Sequence, residues 1–116
     1  MPIPGKLAYV ELAVTDSEAS AVFFETVFGW ELAHYGPSYA GTLKEPTELG
    51  LQADPAEKSA APLAGIRVSD LEAAQAAVEA AGGVISCPVF AYPGGRRFHF
   101  REPGGNEMAV FADETG

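Results

Sequence analysis

The chain is short of sulfur and short of positive charge. A single cysteine, Cys87, among 116 residues excludes an intramolecular disulfide framework. Lysine and arginine number 7 against 16 aspartates and glutamates, a formal net charge of −9 at pH 7. Binding to nucleic acid depends on neutralising phosphates with basic side chains, so that partner class is set aside. The tightest basic group is only Arg96, Arg97 and Arg101. No apolar run approaches the roughly 20 residues that a membrane span requires, which sets the membrane aside too. The opening Met1-Pro2-Ile3-Pro4-Gly5-Lys6 has neither the basic start nor the apolar stretch of a secretory signal. From these absences a cytoplasmic protein is expected.

What is present is an ordinary globular balance, 47% hydrophobic and 20% charged residues, in a length that suits one domain with a real core. The strongest internal signal is a repeat. Sliding the sequence by 54 residues lays Leu12, Val14, Asp16, Glu18, Ala19, Glu25 and Gly29 on Ile66, Val68, Asp70, Glu72, Ala73, Glu79 and Gly83. Each half reads as strand, acidic helix start, helix, glycine, then further strands. The expected modules span about 1–54 and about 60–116, joined by a connector over 53–61.

Local chemistry supports this division. Residues 7–14 and 63–68 carry β-forming side chains. Asp16 and Asp70 can cap the helices that follow by accepting their first free N–H groups. Ala19, Val22, Phe23, Val27 and Phe28 form an apolar stripe in the first helix; Leu71, Ala74, Ala77, Val78 and Ala81 form one in the second. Both stripes are expected to pack into the core. Gly29 and Gly82-Gly83 end the helices. Further strands are expected over 30–35, 39–44, 48–52, 84–91, 97–101 and 108–112, with turns at the Gly-Pro, Glu-Pro, Pro-Gly-Gly and Pro-Gly-Gly-Asn clusters. The expected fold is α+β: two tandem βαβββ modules forming a curved mixed sheet around a cavity, with the helices on its outer face.

Two motifs then resemble a known family. Tyr9-Val10-Glu11-Leu12-Ala13-Val14-Thr15-Asp16, followed by Phe23-Phe24-Glu25 and Val27-Phe28-Gly29-Trp30, is similar to the opening of vicinal oxygen chelate proteins. That superfamily includes glyoxalase I, extradiol dioxygenases and bleomycin-resistance proteins. The run Arg97-Phe98-His99-Phe100-Arg101-Glu102-Pro103-Gly104-Gly105-Asn106 resembles its closing F-x-D-P-x-G-N signature, with Glu102 in place of the usual aspartate. The fold serves lyases, isomerases, oxygenases and binding proteins alike.

The resemblance also implies where a metal would sit. In metal-dependent members a His or Gln precedes each helix-capping Asp by seven residues, and those places here hold Tyr9 and Leu63. The last carboxylate ligand lies three residues beyond the closing Asn, where this chain has Ala109. The fourth belongs near 48–51, where Glu48 is the one candidate. A divalent ion needs several O or N donors at fixed distances, so no metal and no cofactor is expected.

Strand alternation puts Tyr9, Glu11 and Ala13 on one face and Leu63, Gly65 and Arg67 on the matching one. The resemblance implies that these faces line the pocket. Glu11 either holds a cationic or hydrogen-bonding ligand group, acts as a general base, or pairs with an arginine such as Arg67. His99, facing away from Phe98 and Phe100, is the other candidate for proton transfer; a histidine merely satisfied at the sheet surface is the plainer alternative. Trp30, Tyr35, Tyr39, Phe90 and Tyr92 are candidate aromatic walls. Cys87 has no base at a diagnostic spacing and is expected to be inert. The expected function is binding of a small cationic or aromatic molecule by a homodimer, as in the antibiotic-sequestering members. The alternative is a lyase, isomerase or dioxygenase of the same superfamily.

Overall fold

The computed structural model describes residues 2–113; the outermost expected module bounds, at 1 and 116, lie outside them. Elements follow in the order β1 (Lys6–Ala13), α1 (Ser17–Phe28), β2 (Glu31–His34), β3 (Tyr39–Leu43), β4 (Glu48–Gln52), β5 (Leu63–Arg67), α2 (Leu71–Ala80), β6 (Val84–Tyr92), β7 (Gly95–Arg101) and β8 (Glu107–Asp113). The class is α+β, with two tandem βαβββ modules. The chain divides into two compact units, one from Ala8 to Leu63 and one from Ala64 onward that also takes in the residues up to Leu7. No helix among the described residues is long and apolar enough to cross a membrane.

Within the first unit the strand order is β2-β3-β4-β1, with β1 parallel to β4 and the other pairs antiparallel. The second repeats it: β6-β7-β8-β5, with β5 parallel to β8. A parallel pair needs a long crossover, and in each unit the helix and two strands supply it. The repeat seen in the sequence is kept in register, because α1 starts at Ser17 and α2 at Leu71. Asp16 accepts the N–H groups of Glu18 (3.0 Å) and Ala19 (3.2 Å), and Asp70 accepts that of Ala73 (3.0 Å). Gly29 closes α1 at φ 72, a left-handed conformation that glycine adopts without a Cβ clash.

Each helix covers one face of its own sheet. In the first unit Ala21 packs on Leu32, Ala40 and Leu51, with Leu12, Phe24, Trp30 and Leu49 around them. In the second, Leu71 and Ala74 pack on Val68, Phe98, Phe100 and Val110. Strand alternation therefore sends Tyr9, Glu11, Arg97 and His99 to the opposite faces.

The first helix contradicts the expected stripe. Val22, Phe23, Val27 and Phe28 are all more than half exposed, and Ala19 faces solvent as well. Ser17 and Ala21 are the buried positions. The helix is apolar on two sides, and the sheet accepts the side with small residues because they let the backbone approach closely. Phe24 and Trp30, stacked at 5.6 Å, fill the remaining space. The second helix packs as expected through Leu71, Ala74, Ala77 and Val78, while Ala81 is its exposed C-cap.

Most strand boundaries differ from the expectation by a residue. Trp30 and Tyr35 fall outside β2. Strand β7 begins two residues early, at Gly95. A Cβ there would collide with the Ala112 carbonyl oxygen on β8, so glycine permits the close pairing.

The closing signature is a turn knotted by its own carboxylate. Glu102 accepts the N–H groups of Gly104 at 2.6 Å and Asn106 at 3.2 Å, and also the Asn106 side-chain amide. The Gly104 N–H, then the two Asn106 donors, hold this carboxyl below the ordinary glutamate range. A depressed folded value means the stabilisation is present above the ordinary range and is lost as pH falls through the folded value. Glu102→Ala is expected to lower stability to urea at pH 7 and to match the parent more closely at pH 3. An equal deficit at both pH values contradicts this.

Candidate functional site

The uncovered face of the first unit is organised around Glu11. The parallel register sets Glu11 beside Gly50 and Tyr9 beside Glu48. Glu11 is only 4% exposed, and its Oε2 accepts the Tyr39 hydroxyl at 3.4 Å. A buried carboxylate needs such donors, because burial strips it of water. Gly50 makes the arrangement possible: a Cβ there would overlap the Tyr39 hydroxyl. Gly41 lies below the rings of Tyr35 and Tyr39, at 3.7 and 3.8 Å from where its Cβ would be. The result is a small floor of two glycines under two phenols, with a carboxylate at its edge.

The uncovered face of the second unit is aromatic and cationic. The register sets Arg67 beside Phe111, Arg97 between Phe90 and Phe111, and His99 between Cys87 and Ala109. The Arg67 guanidinium lies 5.0 Å from the Phe111 ring centre, and that of Arg97 lies 5.2 Å from Phe90 and 5.6 Å from Tyr92. Such stacking holds the planar cations flat against the rings. Arg67 also pairs with Asp113 at 3.2 Å, so the arginine expected as a partner for Glu11 is engaged within its own unit. Burial pushes the Tyr92 phenol above its ordinary value, with Asp113 adding to the effect and Arg97 and Arg67 opposing it. An open cavity of about 510 Å³ lies at the end of β5 and β8, bordered by Pro4, Lys6, Arg67, Ser69 and Asp113.

His99 is the most structured polar group on this face. It is 8% exposed, with the Phe90 ring edge-on at 5.9 Å. Its Nδ1 lies 3.4 Å from Glu107 Oε2. The Ser86 hydroxyl donates to that same oxygen at 2.9 Å. Ser86 sits where the β6–β7 register shifts, between Ile85 and Cys87; bulges commonly re-aim a side chain in this way.

The positions at which the family carries metal ligands do not offer a matching donor set. Tyr9 brings a phenol, Leu63 is buried hydrocarbon, and Ala109 is a fully buried methyl opposite His99. Glu48 is bonded by the Thr42 hydroxyl, which in turn accepts the Leu49 N–H at 2.8 Å. Among the described residues no three His, Cys, Asp or Glu side chains stand close enough together to hold an ion. The residues present do not fit a divalent metal.

Of the residues singled out from the sequence, Tyr9, Glu11 and Tyr39 share the face of the first unit. Arg67, Tyr92, His99 and Ala109 share that of the second, with Leu63 at the start of its first strand. Trp30 does not join them; it stacks on Phe24 and Phe28, at 5.6 and 5.0 Å, on the helix side. Cys87 is partly buried. Arg97, Glu107 and Phe111 escaped the sequence reading, although alternation carries the signal: Arg97 stands two residues before His99, and Glu107 and Phe111 flank Ala109 at two residues.

The described fold has many counterparts among solved structures. One is methylmalonyl-CoA epimerase from Mycobacterium tuberculosis, at 17% identity and TM-score 0.78, over 97% of this chain and 90% of that one. A second is a glyoxalase/bleomycin resistance protein/dioxygenase superfamily member from Vibrio splendidus, at 18% identity and TM-score 0.71, over 96% of this chain and all of the other. A third is the Mn(II)-bound glyoxalase from Novosphingobium aromaticivorans, at 25% identity and TM-score 0.69, where the match covers 93% of this chain and 38% of that longer one. No curated protein sequence matches this chain. The sequence profile of one family does match, over residues 6–110, and with the paired modules and the closing turn it settles the assignment: the chain belongs to the Glyoxalase/Bleomycin resistance protein/Dioxygenase superfamily.

Proposed function

We propose that this protein is a metal-free small-molecule binding protein of the cytoplasm, acting as a homodimer and holding an aromatic or cationic compound rather than transforming it. The observation that carries the reading is the exchange of donors for carbon at the family's metal positions. Leu63 and Ala109 supply no lone pair, and Glu48 is already committed to Thr42. The surrounding faces offer what binding of an organic molecule uses, namely rings with a few placed polar groups. Tyr39 lies on one face, and Phe90, Tyr92 and Phe111 lie on the other. Of the two ligand types the aromatic one is favoured on the second face, because Arg67 and Arg97 there oppose a second cation.

A thermal-shift screen of neutral aromatics, aromatic carboxylates and aromatic cations tests this directly. A true ligand at about one hundred times its Kd stabilises the folded state by about 2.7 kcal/mol. At least one aromatic class is expected to raise Tm in a saturable way. Phe90→Ala is expected to weaken that ligand about tenfold or more, and Gly50→Val to weaken any ligand that rests on the floor below Tyr39. A flat response to all three classes, with Mn(II) or Ni(II) alone giving a stoichiometric shift, overturns the proposal.

A second reading has one observation of its own. His99, held at Nδ1 by Glu107 with Ser86 behind it, has the form of an imidazole oriented by a carboxylate. Such contact selects the Nδ1–H tautomer and leaves Nε2 as the basic nitrogen. This reading makes the protein a proton-transfer enzyme without a metal. It is checked by incubating the protein in D₂O with each compound that shifts Tm and following loss of C–H signals by NMR. Exchange that requires His99, and that Glu107→Gln slows by about tenfold, favours the enzyme; exchange at the buffer rate favours the binding protein.

A further inference from the structure

The outward side of α1 is an unpartnered apolar stripe, and its composition points to what covers it. Ala19, Val22, Phe23, Thr26 and Val27 stand at i, i+3, i+4, i+7 and i+8, the spacing by which a helix buries one face against a partner. Here that face looks to solvent: Val22 is 51% exposed, Phe23 57% and Val27 53%. The opposite side of the same helix is already engaged, through Ser17, Ala21 and Phe24. No charge interrupts the stripe. The helix's two ionisable residues, Glu18 and Glu25, are seven apart and so lie along a single flank.

We propose that this stripe is the contact between two copies of the chain, packed α1 against α1 about a two-fold axis. The reading rests on the homodimer of the proposed function and adds the surface that makes it. Three properties select a second copy. The first is shape: Phe23 projects between Ala19, four residues before it, and Thr26, three after. Each copy thus presents one ring and a notch of small residues, the self-complementary pattern that a two-fold contact requires. The second is area. A half-exposed phenylalanine shows on the order of 100 Å², so the exposed Ala19, Val22, Phe23, Thr26 and Val27 together offer about 350 Å² per copy. Doubled, that is close to the apolar share of an interface of about 1,200 Å², the lower end of the stable class. The third is charge. With Glu18 and Glu25 beside the stripe, no basic residue on α1 and a net charge of −9 for the chain, an anionic lipid surface is repelled.

The charge also sets a signature. Two chains of net charge −9 repel, and salt screens that repulsion while leaving apolar burial intact. Contact through the stripe therefore tightens as salt rises, whereas contact through ion pairs loosens.

Sedimentation velocity of the full chain, from about 1 to 100 µM in 50 and 500 mM NaCl, tests the proposal. The parent is expected to be dimeric and to associate more tightly in 500 mM NaCl. Phe23→Glu and, separately, Val27→Lys are expected to weaken the dimer at least tenfold while keeping the parent's far-UV circular dichroism and Tm of the monomer. Val84→Glu, on the exposed start of β6 (64%), is expected to leave association unchanged. A dimer that both α1 variants leave intact overturns the α1 contact but not the homodimer. A parent that stays monomeric at 100 µM overturns both. A dimer that loosens in 500 mM NaCl also overturns the apolar contact.

Discussion

The parallel strand pair within each unit is the constraint from which the rest of the structure follows. Hydrogen bonding β1 to β4, and β5 to β8, obliges the chain to cross over before it can pair. The crossover is what places α1 and α2 against one face of each sheet. Pairing in a parallel ladder also fixes register, and a slip of one residue would turn every side chain to the wrong face. Glu11 beside Gly50 is a consequence of that register, and so is Arg67 beside Phe111. The buried Glu11 carboxylate, with the Tyr39 hydroxyl at hand, would sit in the helix-side hydrocarbon if β1 moved by one position.

Much of this was legible in the residues themselves. The 54-residue repeat located both helix starts, because an aspartate cap is a local signal that needs no knowledge of the partner strand. The faces of β1, β5 and β7 followed from alternation alone, which put His99 opposite Phe98 and Phe100. What could not be read was the side of α1 that faces inward. Periodicity reports that a stripe exists, and α1 has two; only the approach of the sheet decides that Ser17 and Ala21 face it while Phe23 does not. Trp30 misled for a related reason. An aromatic ring just after a helix can turn either way, and stacking on Phe24 and Phe28 draws it to the helix side. Glu107 was missed because its contact with His99 runs diagonally from β8 to β7, and alternation gives the face of each strand but not the register between them.

The proposed function rests on how the superfamily's metal positions are filled in this chain. The family resemblance implies four metal-ligand positions, held here by Tyr9, Glu48, Leu63 and Ala109. In this chain two of those positions carry only carbon, one carries a phenol, and the fourth is held by Thr42. The uncovered face of the second unit carries rings with guanidiniums stacked on them. Metal chemistry needs fixed lone pairs, whereas recognition of an organic molecule needs shape, flat apolar area and a few polar contacts. The residues at these positions answer the second requirement, and the proposed binding role rests on that balance.

That balance is measured most directly by titrating chelator-stripped protein with Mn²⁺, Ni²⁺, Zn²⁺ and, without oxygen, Fe²⁺ in a calorimeter. The account predicts no stoichiometric heat for any of the four ions. Binding of one ion per chain with micromolar or tighter affinity would contradict it, and would return this protein to the metal-dependent chemistry of its superfamily.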